Sequence, residues 1–189
     1  QIGRGDAWGD LGDMGYSIQH PWGLSSSSVA AGTTELGEYE YTAQRIVIRH
    51  DGQVDYAAAL GAFTGTDEEH EGVRLLPLAP VLARVHWCLQ VAGYLGLQMG
   101  YRGAWRVGMW LTNTEGAIEL VAFSGHYSGR SSRYAEKEFL NVMDCATGDL
   151  ENPAGIMARL AKPLARGLGR TDILPYDTVH DLLAREQRL

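Results

Sequence analysis

The chain has 189 residues, of which 45% are hydrophobic and 21% charged, and its formal net charge is −7. This length can bury one sizeable core, and no stretch approaches the roughly 18 consecutive apolar residues of a membrane span. The composition therefore predicts a soluble globular protein with no membrane partner, and the negative charge argues against nucleic-acid binding by this chain alone.

The first 37 residues are rich in glycine and serine and show no hydrophobic period. They predict an irregular arm that is docked in places by Trp8, Tyr16 and Trp22, with disorder near the serines at 25–28. Residues 38–189 are predicted to form a single domain.

Residues 38–60 are predicted to form a β-hairpin. A three-residue loop that ends at Gly52 sets Ile48 opposite Val54 and Ile46 opposite Tyr56, which keeps one face of the hairpin apolar. The apolar alternation slips by one position near residues 43–45, and this slip predicts a β-bulge.

From Leu78 to Leu95 apolar residues recur at three- and four-residue steps, which predicts one long helix with a buried face. Pro77 and Pro80 fit its first turn, where a missing N–H is tolerated. The glycines at positions 100 and 103 end this pattern.

After these glycines the hydrophobic period changes to two, which predicts a second hairpin from residues 104–111 and 118–122. The expected register places Leu111 opposite Ile118 and Met109 opposite Leu120. Gly116 is expected to take the left-handed conformation that closes the loop.

Three helices are predicted in the last third of the chain, the last of them a short one around Val179, Leu182 and Leu183, after a turn, in residues 170–189. The first runs over residues 132–146 and buries Phe139, Val142 and Met143. The second begins at Asn152-Pro153, an N-cap followed by proline, and runs to residue 167 or 169, with a kink at position 163. The predicted fold is therefore α+β: an antiparallel sheet built from two β-hairpins, with the long central helix and the C-terminal helices packed on one face.

No nucleophile elbow, phosphate loop, dinucleotide fingerprint or zinc-binding helix is present, so no catalytic residue, metal ligand or cofactor is predicted. The two cysteines lack metal or redox spacing, and a cytoplasmic location is expected. Aromatic residues of the helix and second hairpin are candidates to line a small-molecule pocket between them: Trp87, Tyr94, Trp105 and Trp110.

Two basic groups are candidates for binding negative charge. In the first, His126, Arg130 and Arg133 lie among glycines and serines before a predicted helix start, a setting that suits an anion. In the second, basic residues share the side of the last helix opposite its apolar face: Arg159, Lys162, Arg166 and Arg170. This cationic stripe is either a solvated face or a docking site for phosphate or an acidic partner surface, such as a second copy.

The order of hairpin, helix, hairpin and helices resembles the region that follows the Schlafen/AlbA-like DNA-binding domain in bacterial transcriptional regulators. The stretches that carry this resemblance are residues 44–54, 75–89, 103–111 and 132–169, the last with the sequence NPAGIMARLAKPLARGLG. The AlbA-like domain itself is not recognisable in this chain.

The resemblance implies a non-catalytic regulatory or interaction domain of a larger bacterial protein, and a homodimer is an open alternative to a monomer. Two other functions are considered. One is a small-molecule-binding sensory domain that uses the aromatic pocket. The other is an enzyme of unrecognised type that uses His126, Arg130 and Arg133.

Overall fold

A computed structural model describes residues 16–21, 23–27, 44–58, 63–64, 72–119, 122–123, 126–127 and 132–170. The chain divides into two compact units, Gln1–Leu60 and Gly61–Leu189. Helices and mostly antiparallel strands make up the described residues, which confirms the predicted α+β class.

The first unit contains an antiparallel sheet of four strands in the order β1-β2-β3-β4. Their bounds are β1 Tyr16–His20, β2 Gly23–Ser27, β3 Gln44–Arg49 and β4 Val54–Ala58. The prediction that residues 16–27 belong to an irregular arm is wrong. Serine has low strand propensity, and the local pattern could not show that pairing of β2 with β3 satisfies the backbone of this segment.

The β3–β4 hairpin confirms the predicted register, with Ile48 opposite Val54 and Ile46 opposite Tyr56. The Arg49 N–H donates to the Gln53 carbonyl at 2.8 Å, and Gly52 has φ of 88°. These features define the three-residue loop, because its last residue must accept a left-handed conformation. The pairing of β3 with β4 is continuous from Gln44 to Ile48, so no bulge occurs at positions 44 and 45, and position 43 lies outside the described residues.

The second unit contains the other described elements. Its strands are β5 Phe63–Thr64, β6 Arg74–Leu76, β7 Ala104–Thr112, β8 Ile118–Glu119, β9 Ala122–Phe123, β10 His126–Tyr127 and β11 Glu138–Ala146. Its helices are α1 Leu78–Gln98, a 3₁₀ turn Thr147–Glu151, and α2 Ala154–Gly167.

Helix α1 confirms the predicted central helix. It follows Pro77, and its buried residues include Leu78, Val81, Leu82 and Leu89. At its end the Tyr101 N–H donates to the Gly96 carbonyl at 2.8 Å, and Gly100 has φ of 66°. This is a Schellman motif, in which the left-handed glycine satisfies carbonyls of the last turn.

Strand β7 forms where it was predicted, but its predicted partner is wrong. It pairs antiparallel with β11, with Leu111 opposite Phe139 and Met109 opposite Asn141. Strand β8 instead pairs with β6 in parallel, through Leu75 and Ile118. Gly116 does have positive φ, 74°, as predicted.

The prediction of a helix over residues 132–146 is also wrong, because residues 138–146 form β11. Phe139, Val142 and Met143 have helical spacing, but burial follows a period of two: Phe139 and Cys145 are buried, whereas Leu140 and Val142 are exposed. The apolar residues on the exposed side obscured the alternation.

Helix α2 begins one residue later than predicted, with Pro153 at the N-cap, and it contains Pro163. It ends in a second Schellman motif around Gly169, whose φ is 81°. Helix α2 packs on β11 and α1, and the residues that it buries include Ile156, Met157, Leu160 and Leu164. The paired strands β7 and β11 (hereafter the ribbon) therefore have one face on this core.

Candidate interaction surface

The ribbon has an inner and an outer face, because successive side chains on a strand point to opposite sides. Val107 and Met109 of β7, with Phe139 and Cys145 of β11, are buried on the inner face. The outer face carries large apolar side chains that remain accessible: Trp110 is 64% exposed, Leu140 67% and Val142 49%. These three residues form the outer apolar patch.

The ladder fixes how the patch is arranged. Trp110 lies directly opposite Leu140, and Gly108 lies opposite Val142. Directly opposite residues in an antiparallel pair have Cβ atoms about 4.5–5.5 Å apart. The three apolar side chains therefore form one contiguous area rather than scattered exposed residues.

Charged residues border this patch at both ends. At the next outer-face pair, beyond Gly108–Val142, Arg106 contacts Asp144 through Nε–Oδ1 at 3.0 Å and through a second nitrogen at 3.4 Å. At the other end the Trp110 indole N–H donates to Glu138 Oε2 at 3.2 Å. An apolar centre with a polar rim is the usual composition of a protein-binding surface.

The Arg106–Asp144 pair is solvent-accessible, with side chains 77% and 63% exposed. Its hydrogen bond and charge lower the pKa of Asp144 and raise the pKa of Arg106, so both groups are charged at neutral pH. An exposed pair of this kind contributes little to folding stability. Both charges are accessible to a partner.

The patch has a rigid support on the inner face of the ribbon. The Asn141 amide, which points inward from β11, donates to the Leu160 carbonyl of α2 at 2.8 Å. At the other end of the ribbon the Trp105 indole N–H donates to Thr147 Oγ1 at 3.2 Å. Hydrogen bonds on the inner face thus fix the two strands whose outer side chains form the patch.

The structure does not bring the four predicted aromatic pocket residues together. Trp105 and Trp110 lie on opposite faces of β7. Trp105 contacts α1 at Gly96, where an added Cβ would lie 3.1 Å from the indole ring. Trp87 and Tyr94 lie on the other side of α1 from Gly96, at 100° per residue; Tyr94 is 40% exposed.

The cationic stripe is only partly present. Arg159, Lys162 and Arg166 are exposed on α2. Arg170 instead forms an ion pair with Glu119 of β8, in which the two side chains are 10% and 3% exposed. Arg170 is thus a structural residue, because it neutralises a buried carboxylate.

The predicted anion site depends on residues that the structure describes only in part. The backbone of His126 lies in β10, opposite Phe123, but its side chain and all of Arg130 lie outside the described residues. Arg133 is exposed. A strand rather than a helix follows this segment, so the expected helix N-terminus is not there.

A cleft of about 360 Å³ lies where the 3₁₀ turn meets α2. Its lining includes Asp149, Asn152, Gly155 and Arg159. Asp149 accepts a hydrogen bond from the Ala146 N–H at 2.8 Å, so this carboxylate caps the 3₁₀ turn.

Neither cysteine is suited to act as a nucleophile at neutral pH. Burial raises the pKa of Cys88 to about 12 and also raises that of Cys145, and the thiol form does not attack. Within the described ranges, no group of three or more His, Cys, Asp or Glu residues could hold a metal ion.

The helices in the described part of the chain lack the combination of length and apolar character that a membrane crossing requires. Comparisons with protein-family models, curated proteins and solved structures find no match to this chain.

The sequence analysis missed the residues of the candidate surface other than Trp110. The available signal was the run Phe139-Leu140-Asn141-Val142-Met143, which has apolar residues on both faces when it is drawn as a strand. A strand with two apolar faces needs a cover on each side.

Proposed function

We propose that this chain is a non-catalytic interaction domain of a larger bacterial regulatory protein, and that it binds protein through the outer face of the ribbon. The observation that supports this most directly is the outer apolar patch of Trp110, Leu140 and Val142. A cytoplasmic location and the lack of nucleic-acid binding by this chain itself belong to the same proposal; the predicted homodimer would make the bound protein a second copy of the chain.

The energetic argument concerns the cost of leaving this patch in water. Fully burying a large apolar side chain is worth roughly 1.5–3 kcal/mol. Trp110 and Leu140 are each about two-thirds exposed, so covering them recovers on the order of 1–2 kcal/mol apiece. That amount exceeds the contribution of most residues in a protein interface, which is below about 1 kcal/mol.

The resemblance to the region after the Schlafen/AlbA-like domain supports the regulatory part of the proposal. In such an arrangement another domain binds nucleic acid, and this domain joins proteins. A net charge of −7 fits that division, because a surface that binds nucleic acid needs an excess of positive charge.

Site-specific photo-cross-linking in cells tests the proposal. A photoreactive amino acid at Val142 reports proteins that contact the outer face, and the same amino acid at exposed Lys162 of α2 is the matched control. We expect a light-dependent protein adduct of defined mass at Val142 that is absent at Lys162.

The adduct should also disappear when Trp110 and Leu140 are changed to serine while the reactive group stays at Val142. Circular dichroism establishes that this variant is folded. Equal, diffuse labelling at Val142 and Lys162 would overturn the proposed function.

A further inference from the structure

The cross-strand pairs on the outer face are self-complementary. Between the end pairs Ala104–Ala146 and Thr112–Glu138, the three central pairs are Arg106–Asp144, Gly108–Val142 and Trp110–Leu140. The first of these pairs joins opposite charges, the second joins a residue without a side chain to a branched one, and the third joins two large apolar side chains. A surface of this kind can recognise a copy of itself.

We infer that the partner bound by this face is a second copy of the chain, packed face to face about a twofold axis parallel to the strands. The inference rests on the proposed function and names its partner. Such an axis places β7 of each copy over β11 of the other. Each outer-face residue then faces, in the other copy, the same residue that lies opposite it on the ladder in its own copy.

Charge complementarity selects this axis. Arg106 of each copy then faces Asp144 of the other, which gives two attractive contacts across the interface. An in-plane axis perpendicular to the strands would instead place β11 over β11. About the central Gly108–Val142 pair it would place Arg106 of one copy over Trp110 of the other, and Asp144 over Leu140, so neither charge would face an opposite charge.

The geometry of packed sheets permits the contact. Such sheets lie about 10 Å apart and are rotated by roughly 30°, so residues near the centre stay closest to register. Arg106 is one outer-face position, about 7 Å, from the central Gly108–Val142 pair. The resulting offset is small compared with the length of an arginine side chain.

The apolar side chains also fit this arrangement. Trp110 of each copy covers Leu140 of the other, and Val142 lies over Gly108, where β7 has no side chain. The outer face is then buried between two ribbons, and the assembly has the layers helix, sheet, sheet and helix, with an apolar cover on both faces of each ribbon.

The small size of the ribbon indicates a weak, transient association. Nine residues per strand give a face about 30 Å long and 10–15 Å wide. It buries on the order of 400 Å² per copy, about half of the area in a stable complex. We therefore expect a dimer with a dissociation constant in the micromolar range, in exchange with monomer.

Sedimentation velocity over a range of micromolar concentrations, with charge-swapped variants, tests this inference. Arg106→Asp makes both positions acidic, and Asp144→Arg makes both basic. Each variant alone should dimerise at least about ten-fold more weakly than the wild type, because two attractive contacts become repulsive. An equimolar mixture should form a one-to-one heterodimer, and the double variant Arg106→Asp/Asp144→Arg should dimerise like the wild type.

Arg166→Asp and Glu151→Arg are matched controls, since they make the same charge changes at exposed positions off the ribbon. They should leave the dimer unchanged. All variants should keep the wild-type circular dichroism spectrum.

A wild type that stays monomeric throughout, or a dimer that neither swap weakens, would overturn the inference. So would a mixture of the two swaps that fails to associate. If the photo-cross-link at Val142 still captures a different protein in these cases, only the self-association fails. If no adduct forms there either, the proposed function fails as well.

Discussion

Asn141 and Pro163 form an energetic couple that a double-mutant cycle can measure. Pro163 lies inside α2 and has no N–H, so the Arg159 carbonyl four residues earlier lacks its helical donor. The Asn141 side-chain amide donates to Leu160 O at 2.8 Å and to Arg159 O at 3.3 Å. The strand thus supplies a hydrogen bond that the proline removes from the helix.

The magnitude follows from this substitution of donors. Asn141→Ala removes the part-buried bond to Leu160 O and the exposed bond to Arg159 O, which together cost about 1–2 kcal/mol. Pro163→Ala restores the helical N–H. In the Pro163→Ala background, Asn141→Ala should therefore cost about 0.5 kcal/mol less than in the wild type, because the coupled bond to Arg159 O is exposed to water.

Hydrogen exchange of the α2 amides in the four proteins measures this coupling, because it reports the opening free energy of that helix rather than of the other unit. Asn152→Ala is the matched control: the residue is exposed beside the same helix, and its effect should not depend on position 163. If Asn141→Ala costs the same with and without Pro163, then the amide does not replace the missing helical donor.

Three further predictions concern the core of the second unit. Gly93→Ala should lower the free energy of unfolding, because the new Cβ would lie 2.8 Å from a backbone oxygen of the 3₁₀ turn. Gly155→Ala in α2 has open space for its new Cβ and should raise the free energy of unfolding by up to about 1 kcal/mol. Arg170→Ala should cost about 3–5 kcal/mol, because Glu119 is left buried without its partner, and adding Glu119→Leu should recover most of that loss in urea denaturation. The pKa of the Cys88 thiol is about 12 in the folded protein and near 9.0 in the unfolded chain. The free energy of unfolding should therefore fall as pH rises above 9.0, by at most about 1.4 kcal/mol per pH unit. The Cys88→Ala variant should show a shallower fall.

Contradicting results are equally specific. Equal stability of the two glycine variants would show that α1 does not approach the 3₁₀ turn as closely as described. An Arg170→Ala variant as stable as the wild type would mean that Glu119 is not buried. A pH profile unchanged by Cys88→Ala would place that thiol in contact with water.

Local signals in the sequence were sufficient for the elements that depend on local rules. The face of α1 follows from helical spacing, and the β3–β4 register follows from a loop that needs positive φ at Gly52. The positive φ of Gly116 is local as well. The partner of β7 depends on residues about thirty positions away, and no period within β7 distinguishes β8 from β11 as its partner.

The misassignment of β11 and the failure to identify the candidate surface have the same physical cause. Leu140 and Val142 put apolar side chains on the outer face of a strand whose inner face is also apolar, so the period of two disappears and a helical spacing remains. A strand with a polar outer face would have been recognised. The side chains that make the surface a candidate for binding are therefore those that hid the strand.

The central claim is that protein covers the outer face of the ribbon in the cell, and in-cell hydroxyl-radical footprinting tests it most directly. The oxidation of Trp110 and Leu140 in cells is compared with that in dilute purified protein. Met99, which is 68% exposed at the end of α1, serves as the internal reference. We expect several-fold protection of Trp110 and Leu140 in cells and none of Met99. Equal oxidation of Trp110 and Leu140 in both settings would contradict the account.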